Sequence, residues 1–305
     1  MKIDAATRLY GIIGHPLGHT ISPAMHNAAH EATGINAVYL AFPMKNIIQI
    51  KHTLRQLGIR GLSVTIPHKI SIRRILDKID PLALQIGSVN TLVRGKSDLW
   101  EGYNTDGPGA IRAILETGFT LAGKNVLILG SGGSARAIAL SAAREKVNKI
   151  GIVSRNKRAA IHLARNIRMA KAGLKSTIDL FLVGKSAKAS ILPSANWESF
   201  VLTEPGQLQN YDLIIHTTPM GMFGHPSENE MLLPDDFLPR KAVVFDIVYK
   251  PALTPLIRAA KKRKMATIPG YTMLLHQGAM QFELFHNRPA PVEVMEKVLL
   301  AELKR

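Results

Sequence analysis

At 305 residues, 46% hydrophobic and 20% charged, the chain is long and apolar enough to bury a sizeable core, which excludes a disordered or collagen-like polymer. With no cysteine it cannot be a disulfide scaffold, a thiolate metal protein or a cysteine-nucleophile enzyme, and a reducing cytoplasm suits it. Lys and Arg total 39 against 22 Asp and Glu, a formal charge of +17, which suits either a nucleic-acid binder or an enzyme that attracts anionic ligands.

The opening stretch, Met1 to Thr20, lacks the uninterrupted apolar run of a signal peptide, and no later stretch approaches the roughly 18 apolar residues of a membrane span, so a soluble protein is expected. Short apolar segments then alternate with longer amphipathic ones. Leu9–Ile13, Ala37–Phe42, Gly61–Val64, Asn125–Leu129, Lys149–Val153, Leu213–His216, Ala242–Asp246 and Met265–Ile268 read as strands, with helical stretches between most of them. Strand-then-helix repetition predicts an α/β fold with parallel sheet, because parallel neighbours need a crossover. Lys171 to Gln209 reads as the weakest part, with Lys185–Lys188 and Pro193–Asn196 as loop.

Length alone suggests two domains at roughly 100–200 residues each, or one large one. Boundaries fall near residue 107, where Asn104-Thr105-Asp106-Gly107 precedes a helix, and near 247. Residues 108–246 would then be inserted into a discontinuous second domain made of 1–107 and 247–305.

After Asn125–Leu129 comes Gly130-Ser131-Gly132-Gly133-Ser134-Ala135, which matches G-x-G-x-x-A and opens a helical run. In that context Gly130 permits the tight turn, Gly132 lets the backbone approach a pyrophosphate, and Ala135 allows close helix packing. About 20 residues on, where an NAD-binding chain carries Asp or Glu for the ribose, this one has Ser154-Arg155-Asn156-Lys157-Arg158. A carboxylate there would repel a 2′-phosphate, whereas Arg155 with Lys157 or Arg158 can neutralise one, so NADP is the expected cofactor. A solvated basic helix start is the alternative. The runs Arg155–Arg158 and Lys261–Lys264 do not alternate with aromatics as a base-stacking surface would, so nucleic acid is not the expected partner.

Further segments stand in a suggestive order: Gly14-His-Pro-Leu-Gly-His-Thr-Ile-Ser-Pro-Ala-Met-His-Asn27, Val64-Thr-Ile-Pro-His-Lys69, Gly87-Ser-Val-Asn-Thr91, Gly102-Tyr-Asn-Thr-Asp-Gly107, Asp246-Ile-Val-Tyr249 and Pro269-Gly-Tyr-Thr-Met-Leu-Leu-His-Gln-Gly278. Together they resemble the shikimate dehydrogenase family over nearly the whole chain. The resemblance implies a discontinuous α/β substrate domain, a Rossmann-like NADP domain, and reversible oxidation of shikimate to 3-dehydroshikimate in aromatic amino acid biosynthesis.

It also implies roles for individual residues. Lys69 matches the catalytic lysine and Asp106 its paired carboxylate. One ionisable group can take the hydroxyl proton in one direction and return it in the other. Thr20 and Ser22 would bind the substrate carboxylate; their spacing lets both hydroxyls point the same way in an extended segment, while Ser22 could equally cap a helix with Pro23 at its first position. Family members usually have Ser where this chain has Thr20. Asn90 and Asn104 would contact ring hydroxyls, with turn formation as the alternative, and Thr65, Tyr249 and Gln277 would complete the substrate site. Gly270, the backbone at Ile247, and Met273 would approach the nicotinamide, although Met273 could simply pack the core.

The spacing of His15, His19, His26 and His30 matches no metal motif, and no metal is expected. A monomer or homodimer is expected. A quinate/shikimate dehydrogenase is the near alternative, kept open by Thr20, and a basic nucleic-acid-binding or NADP(H)-sensing protein without turnover is the non-enzymatic one.

Overall fold

A computed structural model describes residues 3–18, 20–48, 50–170, 177–183 and 198–304. The chain divides into two compact units, 1–109 with 274–305, and 110–273. In the first unit the strands are β1 (Arg8–Gly14), β2 (Ala37–Pro43), β3 (Ile59–Val64), β4 (Lys78–Ile79), β5 (Thr91–Arg94) and β6 (Trp100–Tyr103). They form one six-stranded sheet in the order β2-β1-β3-β5-β6-β4. The β2-β1-β3 half is parallel and built by crossovers through α1 (Ser22–Ala32) and α2 (Ile50–Gln56). β5 runs antiparallel to both β3 and β6, so this half departs from the all-parallel expectation. Its strands are short and follow one another without a full crossover helix, which permits antiparallel pairing.

Local chemistry sets the ends of these elements. In α3 (Pro81–Ile86), the Asp80 carboxylate accepts from the N–H groups of Leu82 and Ala83, and Pro81 takes the first turn, where no intrahelical donor is needed. Burial of Ile13, Leu62, Val64, Leu92 and Trp100, all nearly solvent-free, supplies the core of this unit.

The second unit carries β7 (Asn125–Leu129), α5 (Gly133–Arg144), β8 (Lys149–Ser154), α6 (Lys157–Met169), β9 (Thr177–Leu182), β10 (Glu198–Val201), β11 (Leu213–His216), β12 (Val243–Asp246), α7 (Pro255–Lys262) and β13 (Thr267–Ile268). Its seven-stranded sheet is parallel throughout, in the order β10-β9-β8-β7-β11-β12-β13. The order reverses direction at β7, leaving a topological switch point between β7 and β11. Two helices cross the division between the units: α4 (Asp106–Leu115) leads into the second, and α8 (Gly270–His286) leads back to the first, followed by α9 (Val292–Leu303).

The boundary expected at 247 lies after 273, because β12 continues through α7 into β13, its parallel neighbour, so 247–273 completes the second sheet. Within 171–209, the part that reads as weakest and to which no strand is assigned from sequence, β9 pairs along β8 from Lys149–Thr177 to Ser154–Leu182. Asp179 breaks the apolar pattern there; its buried carboxylate is answered by Lys149 at 3.0 Å and by the Tyr211 hydroxyl at 2.8 Å. The tracts Lys185–Lys188 and Pro193–Asn196 lie outside the described residues, as does His19. Among the described residues no helix is long and apolar enough to cross a membrane.

The first unit also buries histidines from two helices. His26 and His30 on α1 are solvent-free, and His30 meets His286 at the end of α8, Nε2 to Nε2, at 3.0 Å. Burial, reinforced by the neighbouring imidazoles, lowers His26 from 6.5 to about 3, and burial lowers His30 to about 4 and His286 to about 3. Folding therefore holds these rings neutral, while the unfolded chain protonates them below about 6.5. The unfolded state then binds more protons, so stability is complete above that pH and falls as the pH drops toward 4. The melting temperature should accordingly decrease by several degrees between pH 7 and pH 5, and His30→Phe should flatten the slope. A melting temperature that is constant or rises over that interval would contradict this burial of neutral rings.

Candidate functional site

In the first unit, chain turns next to β3, β5 and β6 bring polar side chains to one place. Lys69 lies in the turn after β3, where its carbonyl accepts from the Val89 N–H at 2.8 Å. The neighbouring His68 is buried, its Nε2 2.7 Å from the Met44 carbonyl. Asp106 is the first residue of α4, where the positive end of the helix dipole favours a carboxylate. The Asn104 side-chain oxygen accepts from the backbone N–H of Asp106 at 3.1 Å, and its amide nitrogen donates to Ser88. Asn104 therefore acts as a cap for α4 and has little capacity left for a ligand.

The result is an ion pair: Lys69 Nζ stands 2.6 Å from Asp106 Oδ2. The carboxylate side chain is 9% exposed, whereas that of the lysine is 27% exposed and so keeps access to a ligand. Asn90 donates to Asp106 Oδ1 and to Thr105 Oγ1, each at 2.9 Å. Both carboxylate oxygens are thereby engaged, one by an ammonium and one by an amide. Gln277, on α8, brings its Oε1 to 3.5 Å from Asn90 Nδ2 and spends its own amide on the Leu274 carbonyl at 3.0 Å.

Of the residues expected in a substrate site, Lys69, Asp106, Asn90, Asn104 and Gln277 thus join one hydrogen-bonded cluster. Thr65 is half-buried just beyond β3, in the same turn as Lys69. Thr20 is half-buried and Ser22 buried at the start of α1, and neither takes part in the cluster. Ser22 is already helical, with Ile21 in the capping position, so the alternative role of Ser22 as a cap is not taken, and Pro23 follows it in the first turn. Sequence reasoning missed Thr91, Thr105 and Ser88, which lie within or beside the quoted motifs and carry the hydrogen bonds that fix Asn90 and Asn104.

The second unit presents a different cradle at its switch point. Gly130 ends β7 with φ of +121°, and a Cβ there would stand 2.5 Å from Thr217 Oγ1, just beyond β11. Gly132 occupies the N-cap of α5, and a Cβ at Gly132 or Gly133 would meet no atom within 4 Å. The helix thus begins with an open approach to its N–H groups, as a pyrophosphate requires. Ser131 and Ala135 flank this turn, with Ser134 half-buried between them. Ser131 Oγ lies 2.8 Å from Ser154 Oγ at the end of β8, and the Ser154 hydroxyl accepts from the Asn156 N–H. Asn156 caps α6 through the Ala159 N–H at 3.1 Å. Arg155 and Arg158 are exposed and Lys157 half-buried, so no carboxylate occupies the ribose position. An open glycine turn, a helix N-terminus and a basic second-strand end fit NADP.

Beyond β12, Ile247 and Tyr249 are half-buried, and burial raises the Tyr249 phenol above its usual value. Gly270 opens α8, and Met273 one turn later is buried. Among the described residues no group of three or more His, Asp or Glu is arranged to hold a metal ion.

Comparison with known proteins agrees with this geometry. Residues 12–92 match the family model described as the shikimate dehydrogenase substrate binding domain, and residues 270–300 that of the shikimate 5'-dehydrogenase C-terminal domain. A shikimate dehydrogenase (NADP(+)) of Moorella thermoacetica is 39% identical over 98% of this chain and 95% of its own length. The crystal structure of a shikimate dehydrogenase in complex with NADP+ superimposes with a TM-score of 0.85 at 35% identity, covering 100% of this chain and 98% of that one. That of shikimate 5-dehydrogenase from Listeria monocytogenes, in complex with shikimate and NAD, gives a TM-score of 0.83 at 32% identity, covering 98% of each chain.

The turn into α8 supplies a test of the cradle's packing. A Cβ on Gly270 would lie 2.4 Å from the Val248 carbonyl oxygen and 2.5 Å from that of Asp246, both backbone atoms with little room to yield. Gly270→Ala should therefore lower unfolding stability by about 1–3 kcal/mol, the usual cost of overpacking, as a drop in the urea midpoint. A midpoint equal to wild type would show that this close approach is not needed.

Proposed function

The chain belongs to the shikimate dehydrogenase family, and from that premise we propose that it catalyses the reversible, NADP-dependent interconversion of shikimate and 3-dehydroshikimate. The observation that carries this reading is the Lys69–Asp106 pair at 2.6 Å, with the lysine alone partly exposed. Residues 1–109 with 274–305 would bind the substrate and 110–273 the cofactor, and the cysteine-free composition fits a cytoplasmic setting.

Oxidising a secondary alcohol removes a hydride from carbon and a proton from oxygen. NADP, when bound, supplies the hydride acceptor. This chain's own residues manage the proton and the placement. Lys69, as the neutral amine, takes the hydroxyl proton; as the ammonium it returns the proton to the carbonyl oxygen in the reverse direction. Asp106 holds the amine in place and stabilises its charged form, and Asn90 holds Asp106 from the other side. Gln277, Thr65 and Tyr249 would contact ring hydroxyls, and Thr20 with Ser22 would donate to the carboxylate. Asn104 acts one step back, by capping the helix that starts at Asp106.

Gly130 to Ala135 would hold the pyrophosphate, Ser154 to Arg158 the adenosine 2′-phosphate, and Ile247, Gly270 and Met273 would border the nicotinamide. The formal charge of +17 favours both anionic ligands over the long range. The basic ribose position argues against the quinate/shikimate alternative in its usual NAD-dependent form.

Lys69→Ala should lower kcat roughly a hundredfold or more, the usual range for a general acid–base group, with a much smaller change in the shikimate KM. Steady-state rates decide this, and near-normal kcat would show that another group carries the proton. Arg155→Ala should raise the NADP KM about tenfold, as loss of one charge-assisted contact to phosphate implies, and leave the NAD KM nearly unchanged. Equal effects on both cofactors would remove Arg155 from the 2′-phosphate site.

A further inference from the structure

Behind the Lys69–Asp106 pair a line of buried polar side chains crosses the first unit's sheet. Tyr39 on β2 is solvent-free, and its hydroxyl lies 2.6 Å from Ser63 Oγ on β3. Ser63 lies 2.6 Å from Gln281 Oε1, on α8 one turn beyond Gln277. Gln281 Nε2 reaches Thr91 Oγ1 at 3.2 Å and the Asn90 carbonyl at 3.3 Å. Thr91 Oγ1 is 2.8 Å from Asn90 Oδ1, and Asn90 Nδ2 reaches Asp106. Placing these groups out of water is costly unless each is paired, and each is.

The donors in this line can point only one way. The ionised Asp106 carboxylate only accepts, so Asn90 must present its NH2 to it and turn its oxygen toward the Thr105 N–H, which only donates, and toward Thr91. The Thr91 proton is then committed to Asn90, and its oxygen must accept from the Gln281 NH2. The Asn90 carbonyl, an acceptor only, demands the same orientation of Gln281. That leaves Gln281 Oε1 facing Ser63, whose proton goes to Gln281 and whose oxygen accepts from Tyr39.

We propose that Gln281 is a positioning residue for the Lys69–Asp106 pair: its NH2, donating to Thr91 and to the Asn90 carbonyl, holds in place the Asn90 side chain that Asp106 and the Thr105 N–H orient, while Ser63 and Tyr39 anchor its Oε1. The catalytic part of this inference rests on the function proposed above. Gln281 touches neither Lys69 nor Asp106 through a hydrogen bond; it acts through Asn90. Replacing it by an apolar residue of similar length removes the donor to Thr91 Oγ1 and to the Asn90 carbonyl, which frees the Thr91 hydroxyl to rotate away from Asn90 Oδ1 and loosens the amide that donates to Asp106.

The test combines kinetics with a readout that needs no turnover. Shikimate oxidation is measured for wild type, Gln281→Met, Tyr39→Phe, Asn90→Ala and the Gln281→Met/Asn90→Ala double variant, and the side-chain amide signals of Asn90 are followed by NMR in 15N-labelled protein. Gln281→Met should lower kcat about tenfold and Tyr39→Phe roughly threefold, in line with the loss of buried hydrogen bonds, with the NADP KM unchanged. The double variant should be within about twofold of Asn90→Ala alone, because one path carries both effects. Tyr39→Phe, which preserves shape, should also move the Asn90 signals; if Gln281→Met does not fold, this variant decides the question. Wild-type kcat and unshifted Asn90 signals in folded Tyr39→Phe would overturn the proposal, as would additive losses in the double variant. If Tyr39→Phe moves the Asn90 signals but the wild-type chain shows no shikimate-dependent NADP reduction, the function is overturned and, with it, the catalytic use of Gln281, while the hydrogen-bond line stands.

Discussion

A carboxylate held at a helix N-terminus with both oxygens engaged is the constraint around which the first unit is organised. Asp106 needs Asn104 to cap its helix, Asn90 to hold one oxygen and Lys69 to hold the other. Those residues arrive from three separate turns, so the mixed sheet has to place the end of β3 beside the start of β5 and the end of β6. The antiparallel β3-β5-β6 pairing does this directly: the Val64 N–H donates to the Asn90 carbonyl at 2.7 Å, and the Asn90 N–H donates to the Tyr103 carbonyl at 3.0 Å. An all-parallel sheet would put those strand ends on opposite edges.

The second unit solves a different electrostatic problem with backbone instead of side chains. Its parallel sheet points every strand's C-terminal end the same way, and the reversal of order at β7 opens the crevice where Gly130 to Ala135 lie. In the proposed function, helix N–H groups there would hold the anion, and the residues at the end of β8 and just beyond it would discriminate between cofactors. Ser154 is hydrogen-bonded to Ser131 and to the Asn156 N–H where an NAD-binding chain carries an acid, and the arginine after it is exposed.

Much of this is legible in the residues and some is not, for definite reasons. The glycine turn after β7, the basic end of β8, and the Lys69 and Asp106 motifs are contiguous in sequence, and contiguous chemistry can be read. Gln281 is invisible there because its partners come from β3 and the start of β5, as far as 218 positions away. β9 is missing from the strands read in sequence because Asp179 interrupts its apolar run, and the groups that neutralise it, Lys149 and Tyr211, belong to other segments. The second boundary reads as 247 because the Asp246–Tyr249 motif looks like an ending, whereas β13 completes the sheet only at Ile268. For Asn104 the sequence leaves ring contact and turn formation side by side, and its hydrogen bond to the Asp106 N–H depends on where α4 begins.

The central claim is that the two units together make an enzyme for shikimate and NADP, and one set of initial rates tests it most directly. Purified full-length protein is assayed at the reduced-nicotinamide absorbance band with shikimate and with quinate, each against NADP and NAD. The account predicts that kcat/KM for shikimate with NADP exceeds every other combination by about tenfold or more, as differential contacts to the 2′-phosphate and the ring acid require. Equal or higher efficiency with quinate or with NAD, or no turnover in any combination, would contradict it.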